Sequence, residues 1–157
     1  MDKKKHFMRE AIKISLRGMN NNAGGPFGTV IVKDGKIIAR GWNQVTSTND
    51  PTAHGEIVAI RKACKKLKTF CLKGCELYTS CEPCPMCLAA IYWARIDKIY
   101  YANTKEDAAD IDFSDDFIYQ EFALPKKKRN IPMEQLDREE AIKAFEMWKK
   151  KEDKIPY

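Results

Sequence analysis

Two short patterns in this chain carry residues able to do metal chemistry, His54-Gly55-Glu56 and Pro83-Cys84-Pro85-Met86-Cys87. One imidazole with two thiolates makes a three-ligand set that leaves the fourth tetrahedral position of a zinc ion for water, as a catalytic rather than a closed structural site requires. Cys84 and Cys87 are three residues apart, so one helical turn sets both sulfurs on one side, and the N–H groups at a helix start favour thiolate over thiol. Soft sulfur with one nitrogen selects zinc over magnesium or calcium. Glu56 stands beside such a metal rather than on it, where a carboxylate can carry protons between water and a leaving group. Either pattern alone is ordinary, and their conjunction across the 26 residues from Ile57 to Glu82 is what points to catalysis. The rival metal reading is a closed site made of Cys71, Cys75 and Cys81 with Cys84 or Cys87. It leaves little room for a strand over residues 76–80 and gives Glu56 no role, so Cys64, Cys71, Cys75 and Cys81 read as plain thiols.

The surrounding elements must bring these patterns together. Met8, Ile12, Leu16 and Met19, with Ala11 and Ser15 beside them, predict a first amphipathic helix over residues 6–19. Residues 20–26, rich in Asn, Gly and Pro, read as a loop. Two apolar runs, residues 29–33 and 36–40, flank Asp34-Gly35 and predict an antiparallel hairpin. Asp50-Pro51 signals a helix start, with His54 in its first turns and Ile57, Ile60, Cys64 and Leu67 on its apolar face. A strand over 76–80, a helix over 85–95 and a strand over 98–102 follow, and this alternation implies a parallel portion of sheet. Residues 106–116 read as acidic and irregular, 117–122 as a last strand, and 126–129 as a solvated basic run. Asp137 with Glu140 suggests a capping box for a final helix bearing Ala141, Ala144, Phe145 and Trp148. The expected architecture is an α/β three-layer sandwich, with one mixed sheet of about five strands between helices.

The chain has 157 residues, 44% of them hydrophobic and 32% charged, which suits a single domain over residues 1–157 with one buried core. Its longest apolar run, nine residues from Met86 to Ala94, is well short of the roughly 18–20 needed to cross a bilayer. The basic start at residues 1–6 lacks the apolar stretch of a secretory signal. A cytoplasmic protein with reduced cysteines is the expectation. The net charge of +6 permits a nucleic-acid partner without requiring one.

The combination H-x-E followed by P-C-x-x-C is the signature of zinc-dependent nucleobase deaminases. Over almost its whole length the sequence resembles the cytidine deaminase-like zinc superfamily. Within it, Gly25-Pro26-Phe27-Gly28, the run from Asn49 to His54, the run from Thr79 to Cys87, Phe117-Ile118-Tyr119 and the end at Tyr157 look like the bacterial guanine deaminases. That family usually reads His-Ala-Glu where this chain has His54-Gly55-Glu56. The resemblance implies hydrolysis of guanine to xanthine and ammonia, with one zinc per chain held by His54, Cys84 and Cys87, and Glu56 as the catalytic proton carrier. It also implies that Asn43 and Asp115 read the base, that Phe27 and Trp93 stack on it, and that Tyr157 lies near the pocket mouth. Bland readings stand beside these, with Phe27 and Trp93 as core, Asp115 as a loop turn former and Asn43 as a strand-end cap, but carry less weight. A homodimer is implied, with residues 137–157 exchanged between subunits, and no membrane or nucleic-acid partner is expected. Two alternatives share the metal motif: a tRNA adenosine deaminase acting on an anticodon base, whose phosphates the basic residues 61–68 and 126–129 would hold, and a non-catalytic zinc-stabilised RNA-binding module.

Overall fold

The computed structural model describes residues 2–157, which divide into two compact units, one ending at Asp115 and one spanning Asp116–Tyr157. The first unit opens with helix α1 (Lys3–Asn20), whose start is capped by the Asp2 carboxylate accepting from the Lys4 N–H. The hairpin of β1 (Gly28–Lys33) and β2 (Lys36–Trp42) turns at Asp34 and Gly35, both with positive φ, as a two-residue turn requires. A single helical turn, α2 (Val45–Thr48), precedes α3 (Gly55–Leu67), and then come β3 (Cys75–Cys81), α4 (Pro85–Trp93), β4 (Lys98–Asn103) and α5 (Lys105–Ala109).

The sheet order is β2-β1-β3-β4, with β1 antiparallel to both β2 and β3. Strand β4 runs parallel to β3, and α4 makes the crossover that a parallel pair needs. One face of the sheet packs on α1, where Phe7, Ala11 and Ile14 meet Val30, Val32 and Tyr78. The other face packs on α3 and α4, where Ile31, Ala39 and Leu77 meet Ala59, Ala63 and Ile91. Alternation along each strand therefore feeds two cores, and the result is the expected three-layer α/β sandwich.

Small residues interleaved with a few large ones mark the helix faces that press on the sheet. In α1 the buried stripe is Phe7, Ala11, Ile14, Ser15 and Gly18, while Ile12, Leu16 and Met19, expected on the apolar face, are exposed. The backbones approach so closely that a Cβ on Gly28 would stand 2.4 Å from the Ala11 carbonyl oxygen, and one on Gly18 would meet the Trp42 ring at 2.8 Å. Likewise Val58, Ala59 and Ala63 are buried in α3, and Ile60, Cys64 and Leu67 pack from its flank. Helices α3 and α4 both stop at residues with left-handed backbones, Lys68 and Arg95. In each the next N–H bonds five residues back, Thr69 to the Cys64 carbonyl at 3.1 Å and Ile96 to that of Ile91 at 3.3 Å.

A Cβ on Gly41 would lie 2.2 Å from the Gly55 oxygen and 2.6 Å from the Ala59 nitrogen, backbone atoms that cannot swing aside. Gly41→Ala is expected to cost roughly 2 kcal/mol or more by overpacking and to lower Tm by roughly 5 °C or more. An unchanged thermal melt would show that α3 can shift on β2 without cost.

The sheet has four strands, not about five, because residues 117–122 are helical: α6 (Asp116–Ala123) holds Gln120 to Asp116 by a 2.9 Å side-chain bond one turn apart. A short apolar run has no period long enough to separate strand from helix. The acidic stretch before it is also partly ordered, since Thr104 and Asp107 form a reciprocal capping box on α5. In the second unit the basic run forms an exposed 3-10 turn (Lys126–Lys128), followed by α7 (Arg138–Lys150). The expected capping box there is not made: Asp137 sits at φ 47° with no side-chain bond, and Glu140 pairs with Lys143 at 2.6 Å. Phe145, Met147 and Trp148 of α7 are exposed in the single chain. No helix among the described residues is long and apolar enough to cross a membrane.

Candidate metal centre and active site

The two sequence patterns occupy matching positions in the fold. His54 is the N-cap of α3 and Cys84 the N-cap of α4, both with extended backbones, and Pro85 fills the first turn of α4. His54 therefore stands before its helix rather than in its first turns. The Asp50 carboxylate accepts from the Thr52 N–H at 2.8 Å and hydroxyl at 2.7 Å, and this local turn holds residues 50–53 out of helix. The consequence is chemical: the positive ends of two helices converge on one point, where thiolates gain from the unpaired N–H groups and the helix dipoles.

Cys84 Sγ and Cys87 Sγ each lie 3.5 Å from His54 Nδ1, and all three donor atoms fall within 4.8 Å of one another. Zn–S and Zn–N bonds at the tetrahedral angle would set sulfur and nitrogen about 3.5 Å apart, so these donors fit zinc as they stand. This is the only such cluster of His, Cys, Asp or Glu among the described residues, and Cys71, Cys75 and Cys81 take no part in it. All six cysteines are free thiols. Hydrogen bonding from Cys87, with help from His54, holds the Cys84 thiol down to about 4, whereas Cys87 is pushed up by its bond with Cys84 and by burial. Cys81 is a different kind of thiol: burial pushes it up to about 11, and its Sγ lies 3.6 Å from the Thr104 carbonyl.

Glu56, in the first turn of α3, is only 6% exposed. Burial, the largest cause, raises its carboxyl above the usual range. Its Oε1 accepts from the Thr79 hydroxyl at 3.3 Å, and Thr79 in turn accepts from Thr29 at 3.1 Å. The motifs assign neither threonine a role, although Thr79 opens the run to Cys87 and each is a polar residue at a strand position beside core residues of the same face.

The residues expected to read the base are distributed unevenly. Asn43 is buried at the end of β2; its Oδ1 accepts from the Val45 N–H at 3.1 Å, and its own N–H bonds the Phe27 carbonyl at 3.0 Å. A Cβ on Gly24 would overlap that Oδ1 at 2.1 Å, so the glycine loop lies against Asn43. Asn43 is thus a strand-end cap that also presents an amide beside Phe27. Phe27 packs edge-on against Phe113, ring centroids 5.0 Å apart, an aromatic partner hidden in the stretch that reads as irregular. Two residues after it comes half-buried Asp115, whose carboxyl is raised first by burial and then by the charge of Cys84. The α5 start that leads to this segment is held by Glu82, which accepts from the Lys105 N–H at 3.0 Å. Trp93 is not brought to this cluster: it is 67% exposed at the last residue of α4, about 13 Å along the helix from Cys84. There it lines a shallow hollow with Ala89, Tyr92 and Arg95. Tyr157 is exposed at the end of the second unit.

Residues 1–103 match the family model described as the cytidine and deoxycytidylate deaminase zinc-binding region. The chain is 52% identical to the guanine deaminase of Bacillus subtilis (strain 168) over 96% of this chain and 97% of that protein. The X-ray structure of guanine deaminase from Bacillus subtilis superposes with a TM-score of 0.95 at 51% identity, covering 98% of each chain. The tRNA-specific adenosine deaminase of Aquifex aeolicus (strain VF5) is 41% identical over 63% of this chain and 65% of its own length. With zinc as the family's metal and a donor set spaced to hold it, the chain belongs to the cytidine and deoxycytidylate deaminase zinc-binding family.

Proposed function

We propose that this protein hydrolyses free guanine to xanthine and ammonia, with zinc held by His54, Cys84 and Cys87. The observation that carries the reading is the extent of likeness: similarity to a guanine deaminase runs through 96% of the chain, whereas that to the tRNA deaminase of Aquifex aeolicus covers 63%. When bound, zinc supplies the Lewis acidity that makes water a nucleophile near neutral pH. Glu56 takes one proton of the attacking water as its oxygen adds to the amino-bearing carbon and delivers it to the adjacent ring nitrogen; it then takes the second proton from the new hydroxyl as the carbonyl forms and hands it to the departing amine. The buried carboxyl, raised toward neutrality, suits a group that must both take and give a proton. Asn43, its oxygen engaged by Val45, donates to the base through Nδ2, and Asp115 accepts from a ring N–H that guanine has and adenine lacks. Phe27, steadied by Phe113, stacks on the ring.

The basic helix face that would suit a polynucleotide is partly committed within the chain. Arg61 lies 3.5 Å from Asp50, and Lys62 donates to the Arg40 carbonyl at 3.1 Å while lying over the Trp42 ring. Guanine turnover is therefore expected to change little with added salt, because a neutral base releases no counterions on binding. A steep salt dependence, with tRNA outcompeting guanine, would move the assignment to the rival deaminase. An RNA-binding module gives Glu56 nothing to do.

We further propose a cytoplasmic, single-domain deaminase that works as a homodimer, with residues 137–157 exchanged between subunits. The exposed apolar side chains of α7, Phe145, Met147 and Trp148, support this. Deleting Ile155, Pro156 and Tyr157 is expected to lower guanine turnover while leaving zinc content and Tm nearly unchanged. Mixing that truncation with Glu56→Gln chains is expected to restore activity, since one site of a hybrid dimer would combine an intact Glu56 with an intact tail. A truncated protein as active as the full chain would remove Tyr157 from the site.

A further inference from the structure

We propose that Thr79, backed by Thr29, is a positioning residue that fixes which oxygen of Glu56 carries the proton. The inference rests on the reading of Glu56 as proton carrier. Thr29 and Thr79 are cross-strand partners in the β1–β3 register, and both are fully buried, at 0% and 1% exposure. Their side chains share the sheet face of Ile31 and Leu77, which pack on α3, rather than that of Val30 and Tyr78, which pack on α1. Ile31, Ala39 and Leu77, the core residues of that face, are apolar, so two buried hydroxyls beneath the start of α3 are a departure from the pattern.

Each hydroxyl has one proton to give. Thr29 gives its own to Thr79, and Thr79 gives its own to Glu56 Oε1. The chain of donors has one direction and ends on the carboxylate, so Oε1 is held as a permanent acceptor and Oε2 is left as the oxygen that gains and loses the proton. The carboxylate torsion is broad and roughly two-fold, and the Thr79 bond acts on it together with bonds from the Glu56 backbone N–H and the Cys87 thiol. Gly55 makes room for the arrangement: a Cβ there would stand 3.3 Å from Thr29 Oγ1, closer than ordinary van der Waals contact. The glycine between His54 and Glu56 and the threonine beneath it are thus sterically linked.

The test is a double-mutant cycle with guanine as substrate and zinc-loaded protein. Thr79→Val preserves shape and is expected to lower kcat about 10- to 100-fold with KM, zinc content and Tm little changed, and Thr79→Ser is expected to restore most of it. In a Glu56→Gln background, Thr79→Val should cost nothing more, because a residue that acts through Glu56 has nothing left to position. Thr29→Val, a milder break in the same chain, should lower kcat several-fold and be absorbed in the same way. A kcat within two-fold of wild type for Thr79→Val, failure of Ser to rescue, or equal losses in both backgrounds would overturn the proposal. Full activity of Glu56→Gln itself would instead overturn the proton-carrier reading, so the two failures are distinguishable.

Discussion

Glu56→Gln is expected to lower guanine turnover by about 10²-fold or more while zinc content and the thermal melt stay as in the wild type. Glutamine keeps the size of the side chain, and its amide oxygen can still accept from the Thr79 hydroxyl that Oε1 now accepts at 3.3 Å. What it loses is the ability to take a proton from water. The carboxylate is also buried, so no solvent base stands ready to replace it at the same position. Steady-state kinetics with metal analysis on the same preparation separates this outcome from a lost metal site. Near-wild-type turnover would show that the proton travels by another group.

Cys84→Ala and Cys87→Ala are each expected to lose zinc and, with it, detectable deamination. A three-ligand site reduced to two donors no longer fills the tetrahedral set, and Cys64, Cys71, Cys75 and Cys81 lie outside the cluster that His54 completes. Cys71→Ser and Cys75→Ser are expected to leave zinc bound. Metal content measured by atomic emission on dialysed protein decides the matter, and full zinc in Cys84→Ala would break the ligand assignment. The helix ends sharpen the expectation, because Cys84 and His54 are both N-caps whose carbonyls accept the first helical bonds, from Leu88 at 2.8 Å and Val58 at 3.0 Å. An alanine at position 84 keeps the backbone bond and removes only the sulfur. Loss of zinc would therefore report the ligand, not an unravelled helix.

The metal site was readable in the sequence because zinc chemistry restricts both residue type and spacing: His54, Cys84 and Cys87 come together as their pattern implies, with buried Glu56 beside them. The hairpin was readable because Asp34-Gly35 supplies the two positive φ angles that its turn requires. Other features depended on partners that a local pattern does not contain. Hydrophobicity placed Ile12 and Leu16 on the inner face of α1, yet closeness of backbones favoured Ala11, Ser15 and Gly18 there. Proline at 51 looked like a helix start, but the Asp50–Thr52 turn postponed the helix to Gly55 and left His54 at its cap, the better place for a ligand. Residues 117–122 have apolar side chains that suit either period, and the Asp116–Gln120 bond belongs to the helical one. Thr29 and Thr79 stand 50 residues apart, so only the strand register reveals that they meet. Phe113 was obscured by the acidic residues around it, although the aromatic lies two residues before Asp115.

The most direct test of the account is product release by zinc-loaded protein offered guanine, adenine, cytosine or a tRNA anticodon stem at equal concentration, with ammonia measured enzymatically and xanthine by chromatography. Guanine should give xanthine and ammonia in equal amounts, and the other three should give little or none. Ammonia from the tRNA stem with none from guanine would contradict it.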